Sequence, residues 1–360
     1  MSIVRRGTLL FAVECEAIHT FPDEEGGQRS RPTCVDQCLV VARPDMSEIL
    51  FVKTSSLGDV IHQMPALTEA WRMRAESSFT WVVEEAFAPL VRLHPAVDRV
   101  ISVAWRRWRK SVYALSTVAE IVASVRAIRA RRYDEIVDSQ GLIRSAVIAR
   151  VAHGRRHGYD SRSIREPLAS IFYDMRYSIS RDLHAVERNR ILTGHALGFM
   201  PQGAPDYGLD RAGLAVSDRS YAVLLHGTAR PDKEWPEANW IALANVIGRN
   251  GLDVVLPWGT SAERERAERI AARHPRAHVG ERRPLDAVAR EIAGAAFVVG
   301  VDTGLVHLAS ALGVPLVAIL VHPRSRLTVP VGSGRIAVLE ARGSLPSVVE
   351  VARAVERIAP

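Results

Sequence analysis

The sequence predicts an α/β protein of two parallel-sheet halves facing a central cleft, and three observations support this. From residue 46 onward, short β-branched runs alternate with longer helical stretches, the pattern of parallel strands joined by crossover helices. The alternation becomes less regular over 153–215 and then restarts, after the Gly- and Pro-rich linker "GFMPQGAPDYGLD". Strands such as Ile49-Leu50-Phe51-Val52 are unbroken apolar runs, as expected when helices cover both faces of a sheet. A length of 360 residues also suits two domains better than one.

In the first half, 46–205, strands are expected near 48–53, 79–84, 98–103 and 134–138. Helices are expected near 59–75, 112–131 and 141–152, with a further helical run near 184–198. Pro65 should kink the first helix or begin its second part. In the second half, 216–342, "YAVLLH" (221–226), "DVVLPW" (253–258), "AAFVVGV" (295–301) and "PLVAIL" (315–320) read as strands. Helices fall near 236–249, 261–273, 285–294 and 304–312, and 343–360 forms a C-terminal helix. Each half is Rossmann-like and offers its carboxyl-end loops to the cleft. Residues 1–45 lack any sustained period and predict a poorly ordered extension, which makes Met46 a candidate functional start.

Composition narrows the class. With 48% hydrophobic and 24% charged residues the chain is an ordinary globular one, and a formal charge of +7 suggests anionic partners without choosing among them. Cys15, Cys34 and Cys38 all lie near the amino end, so a disulfide framework and a zinc site are both poor fits. The apolar stretch 292–321 is interrupted by Asp302, Thr303, Gly304, His307, Gly313 and Pro315, which argues against a membrane span. Arg5 and Arg6 precede a short apolar run that soon meets Glu14 and Glu16, a poor signal peptide. A cytoplasmic location is expected.

Four loops carry candidate chemistry. In "KTSSLGDV", Ser56 and Asp59 could cap the next helix, or Asp59 could act as a general base beside Gly58, where a ligand can approach the backbone. In "HGTARPDKEWPEANW", Thr228, Arg230 and Lys233 precede a helix starting near Pro236, a ready phosphate site or a solvated basic loop. Lys233, nearer the helix, is the stronger candidate. At Asp302-Thr303-Gly304, Thr303 and Gly304 can donate to a diphosphate, whereas Asp302 suits a sugar hydroxyl or Lys233. His307 in the following helix is either a satisfied core histidine or a ligand. In "LPWGTSAERERAER", Glu263 stands roughly where dinucleotide folds place an acid on a ribose, although this helix is charged throughout. Apart from these loops, "WRRWRK" (105–110) packs four cations and two tryptophans into six residues. It could meet nucleic acid, an anionic acceptor or a lipid headgroup surface, and Arg144, Arg165 and Arg188 add cations to the same half.

Taken together, these stretches resemble the ADP-heptose glycosyltransferase family, the lipopolysaccharide heptosyltransferases. The resemblance rests on "VKTSSLGDVIHQMPALTEA", "WVVEEAFA", "WRRWRK", "DSQGL", "HGYD", "REPLAS", "HAVER", "DKEWPEANW", "LPWG" and "VGVDTGLVHLASAL", which follow one another from about 46 to 320. "WRRWRK" and "REPLAS" favour the enzymes that add the first heptose over those that add the second. The resemblance implies a GT-B fold with the acceptor on the amino-terminal half and ADP-heptose on the other. It implies inverting transfer of L-glycero-D-manno-heptose to Kdo of Kdo2-lipid A at the cytoplasmic face of the inner membrane. It makes Asp59 the catalytic acid group, Lys233 the donor-phosphate lysine, and Glu263 the nucleotide-ribose acid. Asp302, Thr303, Gly304 and His307 match its donor loop, and Arg106, Arg109, Lys110, Arg165 and Arg188 its cationic acceptor surface. Ala229 and Pro231 depart from the family's phosphate loop, and "LVHPRSRLTVPVG" (320–332) lacks its usual Gly-Pro-Thr-type turn.

The residues then suggest a division by charge. A carboxylate would repel phosphate, so the Asp59 loop, with Ser56 and Gly58, should receive the attacking hydroxyl. Phosphates should be held across the cleft by Thr228, Lys233 and helix amino ends. No D-x-D acid pair closes a strand, so no metal and no cofactor are expected. The alternatives are a second-type heptosyltransferase, a nicotinamide dehydrogenase lacking its glycine fingerprint, and a non-catalytic binder of nucleic acid or anionic lipid. The preferred reading has no nucleic-acid partner.

Overall fold

The structure, a computed structural model, describes residues 47–111, 113–215, 220–228, 230–321, 327–341 and 343–359. The expectations for the 1–45 extension, the three cysteines, Met46, Ala229 and 322–326 lie outside the described residues. The first sheet contains β1 (Glu48–Val52), β2 (Ser78–Glu84), β3 (Arg99–Val103), β4 (Arg132–Asp138), β5 (His153–Tyr159) and β6 (Met175–Tyr177), in the order β3-β2-β1-β4-β5-β6. The second contains β7 (Tyr221–Leu225), β8 (Asp253–Leu256), β9 (Ala277–Val279), β10 (Phe297–Val301), β11 (Leu316–Leu320) and β12 (Ile336–Glu340), in the order β12-β11-β10-β7-β8-β9. Every neighbouring pair is parallel, and both orders are the doubly wound 3-2-1-4-5-6 arrangement. The longer helices are α1 (Leu57–Met73), α2 (Leu115–Arg129), α3 (Ile143–Val151), α4 (Ala185–Leu197), α5 (Glu237–Arg249), α6 (Ser261–Ala271), α7 (Leu285–Gly294), α8 (Gly304–Ala311) and α9 (Val348–Ile358).

Strand alternation explains the continuous apolar runs. Ile49 and Phe51 pack with Ile61, Met64 and Leu67 of α1, while Leu50 and Val52 point the other way, into a cluster with Ile128 and Ala149. Each of the four strand residues is at most 1% exposed, a burial typically contributing about 1.5–3 kcal/mol per side chain. In the second half, Trp235 and Trp240 meet edge to face at 4.9 Å, and Trp235 Nε1 donates to the Pro346 carbonyl. That bond, with Val351, Ala354 and Ile358 of α9 in the same core, ties the C-terminal helix to the second sheet.

Three elements differ from expectation. The less regular stretch after 153 contains the parallel strands β5, polar and exposed at its start but buried over its last three residues, and β6, which is exposed because it closes the sheet edge. β9 and β12 similarly flank the second sheet, and every residue of β12 is partly exposed. Pro65 lies inside one continuous helix. An interior proline costs about 3 kcal/mol, but Ile61, Met64 and Leu67 around it are fully buried, and that packing offsets the missing hydrogen bond.

Buried histidines give the fold an acid limit. His94 Nδ1 accepts the Ala96 N–H at 3.2 Å, so its Nε2 carries the proton shared with Thr68 Oγ1 at 2.9 Å. Burial holds its pKa down to about 4, and burial does the same to His226. A folded-state pKa below the unfolded 6.5 means that the unfolded chain binds the extra proton. Stability is therefore intact above about pH 6.5 and is lost as pH falls toward 4. At pH 5 each such histidine is expected to cost about 2 kcal/mol. Urea unfolding at pH 7 and pH 5 should show that loss, and the His94→Gln variant should show a shallower one.

Candidate functional site

The first wall of the cleft is built at the end of β1. Trp81 Nε1 and the Glu84 N–H hold the carbonyls of Lys53 and Thr54, while Gln140 Oε1 accepts the N–H groups of both Thr54 and Ser55, at 3.1 and 3.0 Å. Ser56 then turns extended and α1 begins. Asp59 Oδ2 receives Ser56 N–H at 2.8 Å and Ser56 Oγ–H at 3.0 Å, so Asp59 takes the capping role that its place at the helix start suggests. It also lines a cavity of about 1090 Å³ together with Ser55 and Ser56. The two roles coexist because both capping bonds fall on one carboxylate oxygen.

Lys53, at the end of β1, is a buried cation whose charge is felt by Asp59. Its Nζ donates to the Ser139 carbonyl at 2.7 Å, and burial lowers its pKa against the pull of the Asp59 and Asp138 carboxylates. Arg144 Nη2 donates to Ser55 Oγ at 2.6 Å, and its guanidinium lines the same cavity. Neither Lys53 nor Gln140 stood out in the loop readings. The signal available for Gln140 was "DSQGL", whose Asp138 and Gly141 shape the turn that aims the glutamine back at β1: Asp138 Oδ1 accepts the N–H groups of Gln140 and Gly141, and Gly141 takes φ of +67°.

The opposite wall comes from the second half. Lys233, at the end of a tight turn over Pro231–Lys233, donates from Nζ to Asp302 Oδ2 at 2.6 Å. The side chains are 24% and 17% exposed, so this pair is screened less than a surface one. Asp302 thus meets Lys233, one of the two partners its chemistry suggested. Thr228 Oγ1 donates to the Asp302 carbonyl at 3.2 Å, which ties the phosphate-type loop to the start of α8. Lys233 and Arg230 line the same cavity as Asp59, so Asp59 faces cations from the other half in addition to Arg144 and Arg165 of its own. Glu263 caps α6 by accepting Gly259 and Thr260 N–H on Oε2. A Cβ on Gly227 would come within 2.6 Å of Glu263 Oε1, so only glycine lets that carboxylate lie against the β7 loop.

The halves touch at the two helix starts. A Cβ on Gly304 would lie 2.7 Å from Leu57 Cβ, and one on Gly58 would lie 3.0 Å from His307 Cδ2. What Gly58 admits in this structure is therefore His307. Its Nδ1 lies 3.3 Å from His62 Nε2, and the rings cross at a centroid distance of 4.5 Å. Burial, chiefly, lowers the pKa of both, that of His307 to about 4, so both are neutral at pH 7.

The cationic surface is more dispersed. Arg165 lines the cavity. Arg188 stacks its guanidinium 4.6 Å over the Tyr159 ring and donates to the Ser163 carbonyl at 2.5 Å. Arg106 lies 5.1 Å over the Phe87 ring, and Arg109 and Lys110 are exposed. Arg107, in the middle of "WRRWRK", is held by Glu85 and Glu120, and buried Trp108 donates to Glu120 as well. The structure therefore gathers Ser56, Asp59, Arg165 and Lys233 around one cavity. Arg106, Arg109, Lys110, Arg188, Thr228, Glu263, Asp302, Thr303, Gly304 and His307 are not among its lining residues.

Two doubly wound parallel sheets with an acid and a lysine on opposite walls of one cavity make this a protein of the GT-B class. The sequence matches the family described as "Glycosyltransferase family 9 (heptosyltransferase)" over residues 121–356. It is 49% identical to lipopolysaccharide heptosyltransferase 1 of Salmonella typhimurium over 74% of this chain and 86% of that protein. Identity to lipopolysaccharide heptosyltransferase 1 of Pseudomonas aeruginosa is 48%, over 75% of this chain and 78% of the relative. The structure superposes on E. coli heptosyltransferase WaaC with ADP at a TM-score of 0.81 and 42% identity, covering 87% of this chain and all of that one. The chain belongs to glycosyltransferase family 9, and it is a heptosyltransferase acting in lipopolysaccharide core synthesis.

Proposed function

We propose that this heptosyltransferase moves L-glycero-D-manno-heptose from its ADP donor to a Kdo hydroxyl of Kdo2-lipid A, with inversion at the anomeric carbon. The observation that carries the reading is the placement of Asp59 and Lys233 on opposite walls of one cavity. A relative has been solved with ADP-2-deoxy-2-fluoro heptose, which supports the donor. Asp59 takes the proton of the Kdo hydroxyl through the carboxylate, as that oxygen attacks the anomeric carbon from the face opposite ADP. The C–O bond to the diphosphate breaks in the same displacement, through an oxocarbenium-like state.

The leaving diphosphate gains negative charge as it departs. Lys233 and the free N–H groups at the start of α8, Thr303 and Gly304, are fixed positive groups for it. Asp302 positions Lys233 through its 2.6 Å bond. Burial holds the pKa of His307 below its ordinary value, which suits it to hydrogen bonding in the donor loop, while Lys233 is the fixed countercharge. Thr228 and Glu263 bind the donor's phosphate and ribose. Ser56, Arg106, Arg109, Lys110, Arg165 and Arg188 face the acceptor, whose carboxylates and phosphates suit guanidinium pairing, while Gly58 makes room for His307.

Among the described residues no helix is long and apolar enough to cross a membrane. The enzyme would meet its lipid-borne acceptor from the surface of the inner membrane's cytoplasmic face, drawn there by its cations. The test is ADP release from ADP-heptose with Kdo2-lipid A, with heptosylated Kdo2-lipid A, and without acceptor. Release is expected with Kdo2-lipid A alone. Release only with the heptosylated acceptor would make this a second-type enzyme, and release without any acceptor would remove the transfer reading.

A further inference from the structure

The cavity beside Asp59 changes character along its length. Besides Asp59 and Lys233 its lining includes Val103, Trp108, Ile121, Val125, Val147 and Ile148. A second hollow of about 480 Å³ shares Ile121 and Val125 and continues along α2 to Arg126 and Arg129. Helix α2 has only Thr117 and Ile128 buried, although Val118, Ile121, Val122 and Val125 recur at helical spacing on one face. Val118 and Val122 are 47% and 40% exposed, and Val147 on α3 is 45% exposed.

The donor nucleotide is assigned to the second half, whereas these apolar walls all belong to the first, and a sugar acid, polar throughout, takes little from them. The groove's ends are cationic: Arg144 and Arg165 stand toward Asp59, and Arg126 and Arg129 at the far end of α2. An apolar trough with basic ends, continuous with the reaction site, fits an elongated hydrocarbon attached to an anionic head.

We propose that the groove between α2 and α3 takes an acyl chain of the acceptor, while its anionic sugar head is presented to Asp59. This rests on the reading of the Asp59 site given above. Each methylene removed from water raises affinity about fourfold, so contact with a few carbons gives a measurable preference for an acylated acceptor.

The experiment compares kcat/KM for Kdo2-lipid A and for its fully deacylated glycan in the wild type, Ile121→Asp and Val147→Asp. A charge in the groove is expected to lower the acylated-to-deacylated ratio by about tenfold or more. Val147→Leu, which keeps the wall apolar, should retain the wild-type ratio. An unchanged ratio in both aspartate variants overturns the proposal. Binding to vesicles of phosphatidylethanolamine and phosphatidylglycerol separates the acceptor's own chains from bulk lipid. Loss of vesicle binding with an unchanged ratio would assign the groove to the membrane instead. Wild-type turnover of the deacylated glycan with an unchanged ratio sinks only the groove. Wild-type turnover of neither acceptor sinks the reading of the site and the groove's ligand with it.

Discussion

Asp59→Asn is expected to lower heptose transfer by about 10²–10⁴-fold while donor affinity and folding stay close to wild type. Asparagine is the informative replacement because Asp59 has a second job. Its Oδ2 accepts two hydrogen bonds from Ser56, and an amide oxygen in the same place can still accept them. Alanine would remove both the base and the cap, and loss of a cap alone costs about 0.5–2 kcal/mol of stability. Turnover, ADP affinity by titration calorimetry and urea unfolding on the same preparations separate these effects. Asparagine activity within tenfold of wild type would deny Asp59 its role as base. A large fall in stability alongside lost activity would show that the cap had failed as well.

Lys233→Ala is expected to weaken ADP binding by about 10–100-fold and to reduce turnover further. Hydrogen bonds to charged groups contribute about 1.5–3 kcal/mol, and the site adds a second loss. Without the lysine, Asp302 keeps a carboxylate facing the incoming diphosphate with its 2.6 Å partner gone. Part of the damage should therefore be repaired in Lys233→Ala/Asp302→Asn, which removes that repulsion. A purely structural role predicts a different result: both single variants would lower the unfolding midpoint, and ADP affinity would follow the folded fraction. Unchanged ADP affinity in Lys233→Ala would count against its place at the donor phosphates.

Legibility in the sequence followed burial. The central strands were readable because both faces are covered, which leaves runs such as "EILFV" and "FVVGV". The strands toward the sheet margins were not: "HGRRHGY" carries polar residues along most of its length, and "AHV" is too short for any period to show. Local rules also overstated Pro65, because intrinsic cost was judged without the core packed around it. The site divides in the same way. Ser56 and Asp59 were visible as helix-start residues, since capping spacing is local. Gln140 was not, since it holds Thr54 and Ser55 from some 86 residues away, by virtue of β4 lying beside β1.

By itself the sequence determined the central strands, the longer helices and the cap that begins α1, because periodicity and capping act over a few residues. It also marked which loops carry an acid and which carry cations. Only the tertiary structure decided that Lys233 meets Asp302, that His62 meets His307 across 245 residues, and that Asp59 and Lys233 share a cavity. Those contacts depend on strand order and on how the two open sheets and their helices abut, and no short-range pattern of residues specifies either.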